Sequence, residues 1–215
     1  MQGVPAVLGA VGRTIDPIQR TWYTDKNSKL FDSFAQSAIN NVKSKIPGLS
    51  YTMPAKIDAW GREVSRGNLG ERLTENFVSP GYYSKVDYDE VSDELKKIFV
   101  KTGGKVFPKT ADKSFSVDGK EKYLTADEYV KFAKAKGEMS FDYVKEFVDS
   151  RAYKKLDYDE RAEVIENLYS FANAKAKAEV SKYDPSKIST YKSVVKYERS
   201  GGSAVNYYIS KAISK

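Results

Sequence analysis

Eight chain-breaking residues crowd into the 38 residues from 47 to 84: Pro47, Gly48, Pro54, Gly61, Gly67, Gly70, Pro80 and Gly81. Proline removes a backbone donor and fixes φ, and glycine carries a large entropic cost inside any regular element, so no long helix or strand survives that spacing. The same stretch nevertheless holds Leu49, Tyr51, Met53, Ile57, Trp60, Leu73, Phe77 and Tyr82. A disordered linker does not carry so many large apolar groups. Residues 47–84 therefore read as an ordered, extended arm that lies on a surface, its own chain's or a partner's. Ile46, Pro47, Leu49, Met53, Pro54, Trp60, Phe77 and Tyr82 are its candidate docking residues. Rigid prolines lower the entropy lost on docking, and large apolar anchors supply most of the contact energy. Intramolecular packing of the same residues is the competing expectation.

On either side of the arm the apolar spacing is helical. Phe31, Phe34, Ala35, Ala38, Val42 and Ile46 recur at three- and four-residue steps until Ile46-Pro47-Gly48 stops them. Asp16-Pro17-Ile18-Gln19 has the form of an N-cap acid, an N1 proline and an N3 amide, which predicts a helix start. Thr125-Ala126-Asp127-Glu128 and Asp184-Pro185 repeat the signal. The run 83–90 is echoed at 153–160, with Asp87 and Asp157 as N-caps and Glu90 and Glu160 at N3. Convergent capping accounts for the echo as well as duplication does. The helix after the first copy carries Val91, Leu95, Ile98 and Phe99 in step, and the helix after the second carries Ile165, Leu168 and Tyr169.

Between the two copies, residues 114–124 read as a two-stranded hairpin turned by Asp118-Gly119. Alternation places Phe115 and Val117 on one face, with Tyr123 as a candidate third. Helices follow near 125–136 and 140–150 with Gly137 between them. The longest is expected over 158–181, where Tyr158, Ala162, Ile165, Tyr169, Ala172 and Ala176 form a thin seam suited to a partner helix. A helix near 186–198, a Gly201-Gly202 break and a last helix with Val205, Tyr208, Ile209 and Ala212 complete the chain. The expected class is mainly α with one small β-hairpin and an ordered Pro/Gly-rich extended arm, that is, helix-dominated α+β. Its divisions are 1–46 (N-terminal helical segment), 47–84 (arm), 85–182 (helical core with the hairpin 114–124) and 183–215 (basic Tyr/Lys-rich helices).

Composition narrows the chemistry. The 215 residues include neither cysteine nor histidine, which removes thiolate and imidazole nucleophiles, the usual zinc ligands and haem ligation together. Carboxylates are what remains for acid–base work, and Asp87/Asp89 and Asp157/Asp159 are spaced like catalytic or metal-binding pairs. Helix capping explains both pairs without any chemistry. Gly103-Gly104-Lys105 lacks the pattern of a phosphate-binding loop and reads as a helix C-cap. No stretch approaches the roughly 18 apolar residues of a membrane span. The apolar opening, residues 1–11, has no basic leader before it and reads as the start of a fragment or as a packing segment rather than a signal peptide.

Charge is uneven along the chain. Residues 171–215 hold nine basic and three acidic side chains, so they carry +6 of the total +7. Lysines there alternate with Tyr183, Tyr191, Tyr197, Tyr207 and Tyr208, a mixture suited to phosphate contact and base stacking. Lys175, Lys177, Lys182, Lys187, Lys192, Lys196 and Arg199 are the candidate nucleic-acid contacts. An ordinary solvated helix face is the alternative.

The blocks Gly12-Arg13-Thr14-Ile15-Asp16-Pro17-Ile18-Gln19-Arg20 and Lys45 to Val64 (KIPGLSYTMPAKIDAWGREV), with the runs 75–82 and 170–179, resemble a block of very large tailed-phage and prophage proteins. These are tape-measure or minor virion proteins and the large polyvalent proteins that enter the host with the genome. The likeness spans most of residues 12–180, and its motifs are structural. It implies a non-enzymatic module of a virion protein, located in the phage particle and in the host cytoplasm during assembly. Such a module acts through packing and oligomeric contact with other virion proteins or copies of itself, with no cofactor and no small-molecule substrate. The alternative function is a DNA-associating accessory module working through the Lys/Tyr-rich tail.

Overall fold

The structure, a computed structural model, describes residues 16–21, 23, 30–44, 48–67, 90–104, 106–117, 119–181 and 183–214, with the backbone alone at 30–34. Among them the chain is helix-dominated with one small antiparallel hairpin, as the sequence predicts, and it forms six α-helices. The helices are α1 (Leu30–Lys43), α2 (Glu90–Thr102), α3 (Ala126–Asp149), α4 (Tyr158–Val180), α5 (Ser189–Arg199) and α6 (Ala204–Ile213). The strands are β1 (Ser114–Val117) and β2 (Lys120–Tyr123). The chain divides into two compact units.

The first unit takes its described residues from 1–58, 63–86 and 112–130. Asp16-Pro17 does not open a helix here. After a bend at Pro17, Ile18 and Arg20 form isolated bridges, Ile18 to Ser65 and Arg20 to Ala55, and Ile57 closes a third bridge to Glu63. Backbone bonds from Gln19 N–H to the Val64 carbonyl and from Lys56 N–H to the Gln19 carbonyl, both 2.8 Å, hold the segments side by side. The same short Asp side chain serves both outcomes. It accepts from the N–H two residues on, at Ile18 (3.1 Å), which is an Asx turn as readily as an N-cap. What decides is the long-range pairing, the bridges to Ser65 and Ala55 and the Arg20 bond to the Met53 carbonyl, while the Arg20 guanidinium grips the fully buried Asp16 carboxylate at 2.9 and 3.2 Å. A buried carboxylate must be paired, and the pair is made in the extended conformation.

The hairpin pairs Ser114 with Tyr123 and Val117 with Lys120, leaving a two-residue connection in which Gly119 has φ +77°. Asp118 lies outside the described residues. Opposed residues share a face, so Phe115, which is buried, faces Lys122, and Tyr123 lies with Ser114 and Glu121 on the other side. Tyr123 donates its hydroxyl to Glu121 at 2.8 Å. The expected apolar face thus loses Tyr123, because a two-residue loop fixes the register and moves it to the polar side. Tyr23 is buried here, donates to the Leu124 carbonyl at 2.6 Å and packs against Tyr129.

The second unit is built from the described residues of 59–62, 87–111 and 131–215. Its centre is α4. Asp157 and Glu160 form the full capping box, each carboxylate accepting the other residue's backbone N–H at 2.8 Å. From that start Ala162, Val164, Ile165, Leu168, Phe171, Ala172, Ala174 and Ala176 are buried. They do not fall on one stripe, because α2 and α6 both pack on α4, and a helix with neighbours on several sides is apolar on several sides. From Ala162 onward the seam expected to meet a partner helix is therefore covered within the chain, while Tyr158 at its start is exposed. Val91, Leu95 and Ile98 of α2 and Val205, Tyr208, Ile209 and Ala212 of α6 supply the facing residues. Asp87, proposed to cap α2, lies outside the described residues.

The two helices expected near 125–136 and 140–150 are one. α3 runs unbroken for 24 residues and is one residue longer than α4. It opens with the predicted Thr125/Glu128 capping box, at 2.9 and 3.3 Å. Glycine inside a helix costs about 1 kcal/mol against alanine but does not by itself end it. Gly137 serves another purpose: a Cβ built on it would lie 1.9 Å from the Gly61 nitrogen. In the tail, Asp184-Pro185 caps a single 3₁₀ turn over Pro185–Lys187 before α5 begins at Ser189, and Gly201 takes φ +91° at the expected break.

Candidate functional site

The arm supplies the first candidates. Gly61 (φ +79°) crosses α3 at Gly137 so closely that a Cβ on Gly61 would stand 2.5 Å from the Lys134 carbonyl oxygen. That crossing seats Trp60, half-buried, edge-on to Phe141 (5.4 Å between ring centres) and tilted against Tyr169 (6.2 Å). Tyr169 is anchored in turn by its hydroxyl, which donates to the Val106 carbonyl at 2.9 Å, and burial pushes its pKa up. Met53 is buried, and Pro54 is half-buried with its carbonyl accepting from Thr21 N–H at 2.9 Å. Met53 and Trp60 are therefore packed within the chain, while Leu49 and the neighbouring Tyr51 stay exposed at 41% and 47%. Ile46, Pro47, Phe77 and Tyr82 lie outside the described residues.

Sequence reasoning missed a second apolar surface. Phe99, which the spacing places in step with Val91, Leu95 and Ile98, turns outward and pairs with Phe107 at 5.6 Å, both rings more than 40% exposed. Val100 beside them is 78% exposed. The signal was available: on a helix, residues 99 and 100 fall progressively away from the Val91–Leu95–Ile98 stripe, and an apolar side chain off the buried stripe is a surface residue.

The basic residues sort into two groups. Lys175 donates to the Tyr143 hydroxyl at 2.9 Å and to both Glu198 carboxylate oxygens at 3.2 and 3.3 Å. Its ammonium also lies over the Phe171 and Tyr143 rings. Burial would lower its pKa, but the Tyr143 hydroxyl and the Glu198 carboxylate together hold it above the usual lysine value. Lys175 is thus committed inside the unit. Lys177 lies 5.9 Å from the Tyr183 ring centre, half-buried. Lys187, Lys192, Lys196 and Arg199 are exposed, and Lys182 is outside the described residues.

Several of the described carboxylates have structural partners. Asp157 and Glu160 cap α4, Asp16 holds Arg20, Glu198 holds Lys175, and Glu94 accepts from Lys97 and from the Tyr153 hydroxyl. Asp159 is exposed in the first turn of α4, where it complements the helix dipole. Asp87 and Asp89 are not described. Gly103 follows α2 with φ +63° and donates to the Phe99 carbonyl at 2.8 Å, which makes it the C-cap expected of Gly103-Gly104. Among the described residues no group of three or more acidic side chains is placed to hold a metal ion, and no helix is long and apolar enough to cross a membrane. Comparison with protein-family models, with curated proteins and with solved structures finds no match.

Proposed function

We propose that the chain is a non-enzymatic structural module of a phage virion protein, tape-measure-like or ejected with the genome. It resides in the particle, is assembled in the host cytoplasm, and acts through contacts with other virion proteins or copies of itself. The observation that carries a contact role is the exposed Phe99–Val100–Phe107 cluster of the second unit, an apolar group held in water at a cost, with Phe99 and Val100 on α2. The resemblance of the 12–20 and 45–64 blocks to large phage proteins supports the virion assignment. The engagement of Asp16, Asp157, Glu160 and Glu198 in caps and ion pairs agrees with a role in packing.

Lys96, Lys97 and Lys101 flank the cluster on α2 and serve as cross-linking handles. Amine cross-linking of gradient-purified particles, read by mass spectrometry, is expected to join these lysines to other chains. Particles that lack peptides of this protein, or that give only intramolecular links from α2, overturn the assignment.

A further inference from the structure

We infer that the outer face of α5 is a nucleic-acid surface that grips the phosphate backbone without reading sequence, through Lys192, Lys196 and Arg199. This inference is independent of the virion assignment. The exposed residues of α5 are Ser189, Thr190, Lys192, Ser193, Lys196, Tyr197 and Arg199. They comprise three cations, three small hydroxyls and one tyrosine, with no carboxylate among them. At 100° per residue, Lys192, Lys196 and Arg199 fall within about 60° of one another and form a single stripe opposite the buried Val194. The stripe is about 10 Å long at 1.5 Å per residue, the length over which one strand of a duplex presents about three phosphates. Lysine, arginine, serine, threonine and tyrosine are the side chains that bind phosphate oxygens.

The bland alternative, an ordinary solvated helix face, has a counterexample within the same unit. On α2 three acids, Glu90, Asp93 and Glu94, precede three lysines, and two of the lysines pair with them: Lys96 with Asp93 at 3.2 Å, and Lys97 with Glu94. On α5 the only acid is Glu198, which points to the other side and is held there by Lys175 and by the Tyr143 hydroxyl. Lys175 therefore acts on this surface from behind, as a positioning residue that keeps a carboxylate off the stripe. Asp184, which feels the charges of Arg199 and Lys187, has its carboxylate engaged by the Ser186 N–H and hydroxyl at 2.9 and 2.7 Å.

The test is fluorescence anisotropy of the full chain with a labelled 20-base-pair duplex and with labelled dT20, between about 50 and 200 mM salt. Lys192→Gln/Lys196→Gln/Arg199→Gln is expected to flatten the plot of log affinity against log salt by about 2.7 for the duplex and about 2 for the single strand, with an unchanged helical spectrum. The double variant Lys192→Gln/Lys196→Gln should lose about two-thirds of that. Lys96→Gln/Lys97→Gln/Lys101→Gln removes the same net charge from α2 and should leave the slope as it is. The inference is overturned by any of three results: no binding to either DNA at about 50 mM salt, equal flattening by the two triple variants, or binding to phosphatidylserine-containing vesicles while both DNAs stay unbound.

Discussion

Replacing Gly137 with alanine distinguishes helix propensity from tertiary contact, because the two give opposite signs. Propensity alone makes Gly137→Ala, in the interior of a 24-residue helix, worth about 1 kcal/mol of stabilisation. The structure says otherwise. The new Cβ would stand 1.9 Å from the Gly61 nitrogen and 2.3 Å from the Trp60 carbonyl carbon, where ordinary contact begins near 3.4 Å. These are backbone atoms of a crossing segment, so rotamer changes give no relief, and residues 60–61 must retreat by about 1.5 Å. That movement carries the indole of Trp60 off Phe141 and Tyr169, two aromatic contacts of about 0.5–1.5 kcal/mol each, and disturbs the packing beneath them. A loss of about 2–4 kcal/mol outweighs the gain of about 1, leaving a net destabilisation of about 1–3 kcal/mol. For a chain of this size that lowers Tm by about 2–12 °C. Thermal unfolding followed at 222 nm measures it. Gly61→Ala forces the same retreat, so the double variant should cost less than the sum of the singles. A Tm that rises in Gly137→Ala, or strict additivity in the double variant, refutes the reasoning.

Other outcomes follow from the same geometry. Asp157→Ala removes the acceptor of the Glu160 N–H and should lower stability by about 1 kcal/mol in a urea titration, with no change in the slope. Asp16 gives a pH dependence: burial pushes its carboxyl up, but the Arg20 pair and the Ile18 N–H together hold it below the ordinary aspartate range. A depressed folded pKa means the stabilisation is complete above about pH 5 and is lost as pH falls through and below the unfolded value. The Tm gap between the wild-type chain and Asp16→Asn should therefore narrow on acidification, and a gap that widens contradicts the pairing. Gly119→Ala places a Cβ at φ +77° with open space around it, so the expected loss is the backbone penalty alone, about 1–2 kcal/mol, visible as a lower urea midpoint.

The features that were legible in the amino-acid order are those whose physics closes within four residues. Thr125 with Glu128 and Asp157 with Glu160 each satisfy backbone donors of their own first turn, so the spacing alone identifies them. Asp118-Gly119 sets a two-residue connection, and the register that moves Tyr123 to the polar face follows from counting back to Ser114. Apolar spacing likewise marks α2, α4 and α6 as helices and picks out Val91, Leu95 and Ile98 of α2 and Val205, Tyr208, Ile209 and Ala212 of α6 as buried. The basic character of the tail is a matter of composition and needs no fold.

Tertiary structure decided whatever depended on a partner far along the chain. Asp16-Pro17 carries the same local signal as a helix cap, and only the bridges to residues 55 and 65, with the Arg20 bond to the Met53 carbonyl, select the extended form. Gly137 looks like a helix break until Gly61, 76 residues earlier, is brought against it. Lys175 is indistinguishable from Lys192 in a charge count, yet one is drawn inward by Tyr143 and Glu198 while the other faces water. Sequence encodes turns and stripes because they are short-range. Which glycine is crowded, which carboxylate is buried and which lysine is spent are set by long-range packing, and that information exists only once the chain is folded.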